Sequence, residues 1–403
     1  MSQAVAVSAD SACDLTLENL FESPEGRRVL TCIQCGTCAG TCPYGDVMDY
    51  PPRRIIAMLR AGMLDRVLTS ESLLMCVACY ACMAQCPRGI ALTDVLLPLV
   101  KEQVFIRLPE TPPELQKALE NTLRYGNPMG ESPRKRAVWV KSAGVPIRTL
   151  SEDPRPVDVL WFVECQNSYH PRGQDTARAT ARIFHTLGVD FAILGNEEKC
   201  AGECARLVGE SGLFDTLTDY NIAVFRKYRF NQIVTSGTHA YDAFKYQYPC
   251  AEFAYRVDHT VPYLAHHHLS SLKPLLTKKL PYAVTYHDNC CLGRHNGFYE
   301  EPRTLLQAIP GIKLVEMPHN RVNSQCCGGG GGGMWLDTYY KAKGYERLSE
   351  RRVKEAVSTG ADVLAIACPY ETSRFEDAIK VLGYDNKLVV RDVTELLAEA
   401  MAA

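Results

Sequence analysis

Two runs of four cysteines constrain this chain more than any other feature of its sequence. Both runs have two, two and three residues between successive cysteines, and each is closed by a proline. They are Cys32-Ile-Gln-Cys35-Gly-Thr-Cys38-Ala-Gly-Thr-Cys42-Pro43 and Cys76-Val-Ala-Cys79-Tyr-Ala-Cys82-Met-Ala-Gln-Cys86-Pro87. Three thiols at this spacing in a tight turn converge on one metal centre, while the fourth begins the next element and points elsewhere.

The spacing matches the bacterial ferredoxin pattern, in which the fourth cysteine of each run ligates the other cluster. It predicts two [4Fe–4S] clusters. The ligands are Cys32, Cys35, Cys38 and Cys86 for cluster 1, and Cys76, Cys79, Cys82 and Cys42 for cluster 2. Zinc sites are the alternative, but zinc prefers paired CxxC motifs to runs of four.

A third cysteine motif, Cys326-Cys327, is followed by six glycines at 328–333. Each glycine loses much backbone entropy when it is ordered, so this loop needs a partner that holds it. A metal cluster bound through the two thiolates would do so. We expect the glycine N–H groups to donate to cluster sulfurs and the loop to expose an edge of the cluster. A phosphate-binding loop is not indicated, since no Gly-Lys-Ser/Thr follows.

Composition restricts the class of protein further. The chain has 403 residues, 18 cysteines and a net charge of -2, so it predicts two or three domains and no nucleic-acid partner. The first 20 residues lack the basic start and apolar core of a signal peptide, and no apolar run reaches the ~18 residues of a membrane span. We expect a cytoplasmic protein that meets a membrane only through a partner.

From Val157 onward, apolar runs of strand type alternate with helical patterns, which predicts largely parallel sheets. The alternation is duplicated, because Cys165 and Cys290 are 125 residues apart and Cys200 and Cys326 are 126 apart. The predicted fold class is mixed α+β and α/β, with a mainly helical two-cluster ferredoxin module before two pseudo-repeated α/β lobes. The expected divisions are a mobile leader (1–25), the ferredoxin module (26–106), a connector (107–157), a first lobe (158–275) and a second lobe (276–403).

These motifs resemble the iron–sulfur proteins that fuse two ferredoxin motifs to tandem cysteine-rich CCG domains, a family that includes heterodisulfide reductase-like subunits. The resemblance runs from about Val29 to the C-terminus. It is carried by the two ferredoxin runs, by Tyr-His-Asp-Asn-Cys-Cys-Leu-Gly-Arg at 286–294, by Cys-Cys-Gly at 326–328 and by Ala-Cys-Pro-Tyr at 367–370.

In the second copy, the resemblance implies a third iron–sulfur cluster, cubane or non-cubane, held by Cys290, Cys326, Cys327 and Cys368. Glu371 stands where the family has a fifth cysteine. Cys291 or Glu371 would therefore have to replace that ligand.

The first copy is degenerate. It keeps Cys165 and Cys200, but Ala201, Gly237 and Ala240 replace the other cysteines of the pattern. We expect a vestigial lobe without metal. The alternative is a zinc site made of Cys165, Cys200, Cys204 and His239, since zinc accepts three sulfurs and one nitrogen.

Three residues near the second CCG motif are candidates for catalysis. His287 and His295 are candidate proton donors to a thiolate product, because histidine titrates near neutral pH. Glu371 is the third candidate. The alternative is that the histidines only orient the cluster loop or lie in solvent.

Two functions fit this arrangement. One is an electron-transfer subunit of a heterodisulfide reductase-like complex, in which a disulfide or related sulfur substrate is reduced at the CCG cluster. The other is a non-catalytic relay between a flavoprotein dehydrogenase or electron-transferring flavoprotein and a quinone or membrane partner. The chain has no GxGxxG motif, so flavin or NAD chemistry would belong to a partner subunit.

Overall fold

Two parallel sheets and a helical N-terminal module make up the computed structural model. It describes residues 17–22, 24–107, 111–249 and 256–401, so most of the predicted leader, Cys13 and Cys250 lie outside the described residues. The described end of the leader is helical, and Leu20 is buried in the core of the N-terminal module.

The ferredoxin module is built from short helices. They are α1 (Leu17–Glu22), α2 (Pro24–Arg28), α3 (Thr37–Gly40), α4 (Pro52–Arg60), α5 (Leu64–Leu68), α6 (Ser72–Met75), α7 (Ala81–Ala84) and α8 (Leu97–Arg107). Helix α4 starts at a proline, which suits the first helical turn because that N–H has no partner there. Its apolar side chains recur at helical spacing and bury Ile55, Ile56 and Leu59. The apolar spacing from Pro51 to Ser70 predicts two short helices between the cysteine runs, and the structure has them as α4 and α5.

The first lobe contains a five-stranded parallel sheet in the order β1-β3-β2-β4-β5. Its strands are β1 (Arg148–Thr149), β2 (Val157–Phe162), β3 (Phe191–Ile193), β4 (Phe230–Thr235) and β5 (Val257–His259). Its helices, with the one that precedes it, are α9 (Pro113–Tyr125), α10 (Cys165–Tyr169), α11 (Pro171–Thr186), α12 (Glu203–Val208), α13 (Ser211–Phe225), α14 (Thr238–Asp242), α15 (Thr260–Tyr263) and α16 (Leu269–Leu272).

The segment expected to be a connector contributes to this lobe. Strand β1 pairs with β3, and Trp139 is buried with its ring edge on Trp161, 5.7 Å between centroids. Prolines interrupt the segment, so its short strand has no recognisable pattern in the sequence. The large apolar side chain of Trp139 is buried in the first-lobe core.

The second lobe repeats the architecture with a four-stranded parallel sheet in the order β7-β6-β8-β9. Its strands are β6 (Ala283–Tyr286), β7 (Lys313–Leu314), β8 (Val363–Ile366) and β9 (Val389–Asp392). Its helices are α17 (Glu300–Ala308), α18 (Asp337–Ala342), α19 (Leu348–Ser358), α20 (Pro369–Val381) and α21 (Val393–Ala400).

One predicted helix of this lobe is wrong in its extent. The pattern from Tyr340 to Thr359 predicts a single helix, whereas the structure divides it between α18 and α19. Gly344 adopts φ 74° between them. A left-handed residue ends an α-helix, and glycine adopts that conformation at little cost.

The lobes and the ferredoxin module pack into one body. Between the lobes, α11 lies against α21, where Thr180 donates to Thr394 and Arg172 pairs with Glu395 at 3.1 Å. The ferredoxin module enters the second-lobe core, where Val77 and Tyr80 belong to the same buried cluster as Phe375.

Candidate iron–sulfur centres

The two ferredoxin loops share an unusual backbone. The residue before the second cysteine of each run has positive φ, 57° at Gln34 and 48° at Ala78, and the residue after that cysteine does too, 88° at Gly36 and 61° at Tyr80. Non-glycine residues rarely adopt this conformation. Because this positive-φ conformation recurs at matching positions, both loops form the same tight turn, with their thiols directed to its inside.

The cluster 1 cysteines come together as predicted from both runs. Burial raises the pKa of the Cys38 thiol to about 11, and the nearby thiols of Cys32, Cys86 and Cys35 raise it further. Cys35 is exposed, whereas the others are partly buried. The fourth member therefore arrives from the second run, and one edge of this group faces solvent.

The cluster 2 cysteines gather deeper in the molecule. Cys42, Cys76, Cys79 and Cys82 line one cavity. Burial and the thiols of Cys76, Cys79 and Cys42 raise the pKa of Cys82 well above its usual value. Four converging thiols are the donor set that a [4Fe–4S] cluster uses.

The CCG site, meaning Cys290, Cys326, Cys327 and Cys368, lies at the carboxyl ends of adjacent strands. Cys290 follows β6, Cys368 follows β8 as the N-cap of α20, and each of the four is less than a tenth exposed. Strand β6 has β7 on one side and β8 on the other. Ligands of open parallel sheets bind at such a reversal of strand order.

Contacts within the CCG site favour the thiolate of Cys327. A hydrogen bond from Cys326 and the side chain of His287 lower the pKa of the Cys327 thiol well below its usual value. The loop backbone adds donors, since Gly328 N–H donates to Cys326 Sγ at 3.2 Å and Gly329 N–H to Cys327 Sγ at 3.4 Å. The expected donation from glycine N–H groups is therefore present at the ligand sulfurs.

The exposure expected for the glycine loop (328–333) is wrong. These glycines are buried against the ferredoxin module. A Cβ at Gly330 would lie 2.5 Å from Val77 O, and one at Gly331 would lie 2.4 Å from Cys76 O. Glycine is needed here because two backbones approach closely.

That approach brings the cluster 2 cysteines to the CCG site. Cys79 and Cys326 lie within hydrogen-bond contact of each other, and Cys326 also contacts Cys290 and Cys327. Arg294 reinforces the junction by donating to Cys79 O at 2.7 Å and Ser324 O at 2.6 Å. A ligand of cluster 2 therefore touches a ligand of the CCG site.

Two of the candidate catalytic residues lie beside Cys327. One ligand atom each from His287, Cys327 and Glu371 lies within 4.8 Å of the other two, and all three residues are buried. Arg352 Nε donates to His287 Nδ1 at 3.0 Å, and Asn289 Nδ2 donates to Glu371 Oε1 at 2.6 Å. Burial raises the pKa of Glu371 to about 7.

The third candidate, His295, faces away from that group. Its ring stacks on Tyr80 with centroids 4.3 Å apart, and Nδ1 lies 3.1 Å from an Asp242 carboxylate oxygen. Cys291 points to the same side, because its thiol contacts Cys290 and Asp242. The structure thus separates Glu371 and Cys291, the two candidates for the fifth ligand.

The cysteines of the first lobe make two separate contacts. Cys165 contacts Cys200, and Cys204 Sγ lies 3.7 Å from His239 Nδ1. In the second lobe, by comparison, single ligand atoms of His287, Cys327 and Glu371 all lie within 4.8 Å of one another.

An arginine occupies the place beside Cys165. Arg136 Nη2 donates to Cys165 Sγ at 3.4 Å and to Glu198 at 2.7 Å, and both charged side chains are 2% exposed. Its guanidinium supplies the positive charge that a metal would supply at a thiolate site. This geometry favours the metal-free interpretation over the zinc alternative.

Sequence reasoning missed several residues that shape these sites. Asn289 is the one with a signal, since an amide directly precedes Cys290 within the motif. Arg136, Asp242 and Arg352 reach their sites from distant segments, where nothing in the local sequence distinguishes them from surface charges.

Comparison with known families agrees with this layout. Residues 28–90 match the 4Fe-4S dicluster domain, and residues 159–239 and 284–370 each match the CCG cysteine-rich domain. The chain belongs to the iron–sulfur proteins that join these two kinds of domain. The dicluster domain implies two [4Fe–4S] clusters, and the eight ferredoxin cysteines fit them.

Three relatives illustrate the family. The chain is 33% identical over 293 residues to the probable iron-sulfur-binding oxidoreductase FadF of Bacillus subtilis, covering 72% of this chain and 41% of that protein. It is 33% identical over 298 residues to the EtfAB:quinone oxidoreductase of Syntrophomonas wolfei, covering 72% and 41%. It is 34% identical over 284 residues to one subunit of the dihydromethanophenazine:CoB–CoM heterodisulfide reductase of Methanosarcina mazei, covering 69% and 66%.

The chain therefore spans about two fifths of the length of the first two relatives. Within the part of the chain that the structure describes, no helix combines the length and apolar character needed to cross a membrane.

Proposed function

We propose that the protein is an oxidoreductase subunit that conducts electrons through cluster 1, cluster 2 and a third cluster at the CCG site. The contact between Cys79 and Cys326 carries this proposal. Each [4Fe–4S] cluster exchanges one electron, and short, fixed separations favour transfer between clusters. Ligands of adjacent clusters in direct contact supply that separation.

The grouping of the thiols supports three ligand sets. Cluster 1 takes Cys32, Cys35, Cys38 and Cys86, and cluster 2 takes Cys42, Cys76, Cys79 and Cys82. The four CCG cysteines, Cys290, Cys326, Cys327 and Cys368, hold the third cluster. Each group of four draws on at least two segments of the chain, and four thiolates suffice for one [4Fe–4S] cluster.

Cluster 1 is the end at which a partner exchanges electrons. Cys35 is exposed, and Ile33 beside it is 63% exposed. Arg60 donates to Cys32 O at 2.6 Å, and Arg53 lies close enough to help lower the pKa of the Cys35 thiol, after the hydrogen bonds from Thr37. An apolar contact point with arginines around it suits a docking protein with acidic side chains.

The partner we propose is a flavoprotein, such as an electron-transferring flavoprotein, with a quinone-reactive membrane subunit at the other end of the path. One relative is named as an oxidoreductase between EtfAB and quinone. In this arrangement the described chain stays on the cytoplasmic side and reaches the membrane through its partner.

Reduction of a disulfide at the CCG site is the second candidate. The observation in its favour is the group of His287 and Glu371 beside Cys327, which offers a proton donor next to a cluster ligand. His295 contacts Asp242 and not Cys327, so a proton from His295 would have to pass through the Asp242 carboxylate. The burial of every CCG cysteine beneath the glycine loop and Cys76–Ala78 favours the relay, because a disulfide has no open approach from that side.

Anaerobic reduction followed by rapid mixing tests the proposal. The reduced protein should contain about twelve irons per chain, from three clusters of four, and an electron-transferring flavoprotein or a quinone-reactive partner should oxidise it quickly. Low-molecular-weight disulfides should oxidise it slowly. Fast oxidation by a disulfide together with inertness towards flavoproteins and quinones would favour the second candidate instead.

A further inference from the structure

Glu371 is placed like a metal ligand. It lies in the first turn of α20, three residues after Cys368, and its carboxylate is 1% exposed. Asn289 Nδ2 holds Oε1 at 2.6 Å and thereby fixes the orientation of the carboxylate. One of its carboxylate oxygens lies within 4.8 Å of the Cys327 sulfur.

Two polar atoms in this group lack hydrogen-bond partners within the described chain. They are Glu371 Oε2 and His287 Nε2. His287 Nε2 does lie 3.2 Å from Glu371 Oε1, but its N–H is not directed at that oxygen. Leaving a buried carboxylate oxygen unsatisfied costs considerable free energy, so such an atom usually marks a missing ligand or ion.

Among the described side chains, no nearby cation satisfies the free oxygen. Arg374 donates to Cys327 O and pairs with Asp337. Arg352 donates to His287 Nδ1 and pairs with Glu355. The arginines beside this group are therefore committed elsewhere, and Glu371 Oε2 is buried without a hydrogen-bond partner among the described residues.

We propose that Glu371 Oε2 ligates one iron of the CCG cluster and that Cys291 does not. This inference rests on the proposed function, since it requires a cluster at the CCG site. It gives one iron of that cluster an oxygen ligand in addition to its thiolate and leaves the other irons with thiolates alone.

The position of Cys291 supports its exclusion. Its thiol lies between Cys290 and the Asp242 carboxylate, which is 1% exposed. That contact with Asp242 places the Cys291 thiol on the His295 side of Cys290. Glu371 instead lies on the Cys327 side, where the free oxygen atom is.

His287 acts as a positioning residue rather than a ligand. Because Arg352 donates into Nδ1, the ring proton is on Nε2, and a protonated nitrogen cannot bind iron. That N–H can donate to the Cys327 sulfur or to an iron-bound oxygen of Glu371.

The oxygen ligand has a chemical consequence. Carboxylate is a harder ligand than thiolate and suits more oxidised iron. A soft sulfur ligand would also displace the carboxylate oxygen from this iron more readily than it would displace a thiolate from the other irons. If any sulfur compound binds this cluster, it binds at the Glu371 iron.

Mössbauer spectroscopy of the ⁵⁷Fe-loaded full chain tests the assignment. The wild-type CCG cluster should show one iron whose isomer shift and quadrupole splitting differ from those of the other irons. In Glu371→Gln that distinct component should change, and in Glu371→Cys it should merge with the sulfur-ligated irons. Cys291→Ser is the matched control and should leave it unchanged.

The outcomes separate this inference from the function on which it rests. Retained EPR signals of clusters 1 and 2 show that each variant is folded. Loss of only the third cluster in Glu371→Gln would therefore also support Glu371 as an iron ligand. An unchanged Glu371→Gln spectrum, or a change in Cys291→Ser alone, overturns the inference but not the proposed function. Wild-type protein with only about eight irons overturns both.

Discussion

The two CCG lobes share one architecture and differ most at the position that follows the first conserved strand. Strands β3-β2-β4-β5 of the first lobe and β7-β6-β8-β9 of the second have the same order and direction. Cys165 follows β2 as Cys290 follows β6. In the second lobe, thiols from three segments converge at this position, whereas in the first lobe the buried ion pair of Arg136 and Glu198 lies there.

The difference shows how the first lobe fills this position without a set of converging thiols. Glu164 stands in the first lobe where Asn289 stands in the second, and it is buried with φ 83°. A Cβ at Gly237 would lie 2.3 Å from the Glu164 side chain. The Glu164 carboxyl group thus fills the space beside Gly237, and the Arg136 guanidinium lies close enough to lower its pKa.

The largest contrast should come from removing one thiol in each lobe. Cys327→Ser should lose the third cluster and lower the iron content from about twelve to about eight per chain. Cys200→Ser should lose no iron. Iron analysis with EPR of the reduced protein measures both, and equal losses in the two variants would contradict the comparison.

Breaking the ion pair of the first lobe should cost the most stability. Arg136→Met leaves Glu198 buried without its cation, which should lower the free energy of unfolding by about 3–5 kcal/mol. Lys135→Met is the control, because its pair with Glu131 is exposed and should contribute less than about 1 kcal/mol. Urea denaturation under anaerobic conditions measures both. A loss of similar size in the two variants would mean that the Arg136 pair does not replace a metal.

Glu164→Gln should stabilise the first lobe in a pH-dependent way. Burial and the nearby Glu198 raise the Glu164 pKa to about 7, above the value of about 4.3 in an unfolded chain. The buried Glu164 carboxyl therefore lowers the free energy of unfolding of the wild-type protein as pH rises from about 4.3 to 7. Below that window Glu164→Gln should have the same free energy of unfolding as the wild type, and above it a free energy of unfolding about 3 kcal/mol higher. Urea midpoints from pH 4 to 8 measure the gain, and a gain that is constant across this range would refute the assignment.

The smallest expected effect concerns the loop that only the second lobe has. Gly331→Ala would place a Cβ 2.4 Å from Cys76 O at φ 55°, so the two backbones must separate. We expect a loss of about 1–3 kcal/mol and weaker magnetic coupling between cluster 2 and the CCG cluster in EPR. Gly344→Ala has a similar φ of 74° and open space around its Cβ. It should show only the backbone cost of about 1 kcal/mol and unchanged coupling.

The sequence predicted those parts of the molecule that local spacing controls. The cysteine runs, the helices between them and the buried strands follow from periodicity, and the duplication follows from the 125-residue offset. The roles of Arg136 and of the glycine loop did not follow. Both depend on contacts between segments far apart in the chain, such as Gly331 against Cys76, and no local pattern encodes them. The β1 strand was missed because two residues between prolines carry no periodicity.

The packing of the glycine loop on Cys76 and Val77 also sets an order of assembly. Once that contact has formed, the cluster 2 loop covers the glycine loop, and the CCG cysteines are less than a tenth exposed. The cluster proposed at the CCG site would therefore receive its iron and sulfide before the ferredoxin module docks. Maturation of this chain would then be sequential, with the most buried cluster inserted first and the one at the exposed Cys35 inserted last.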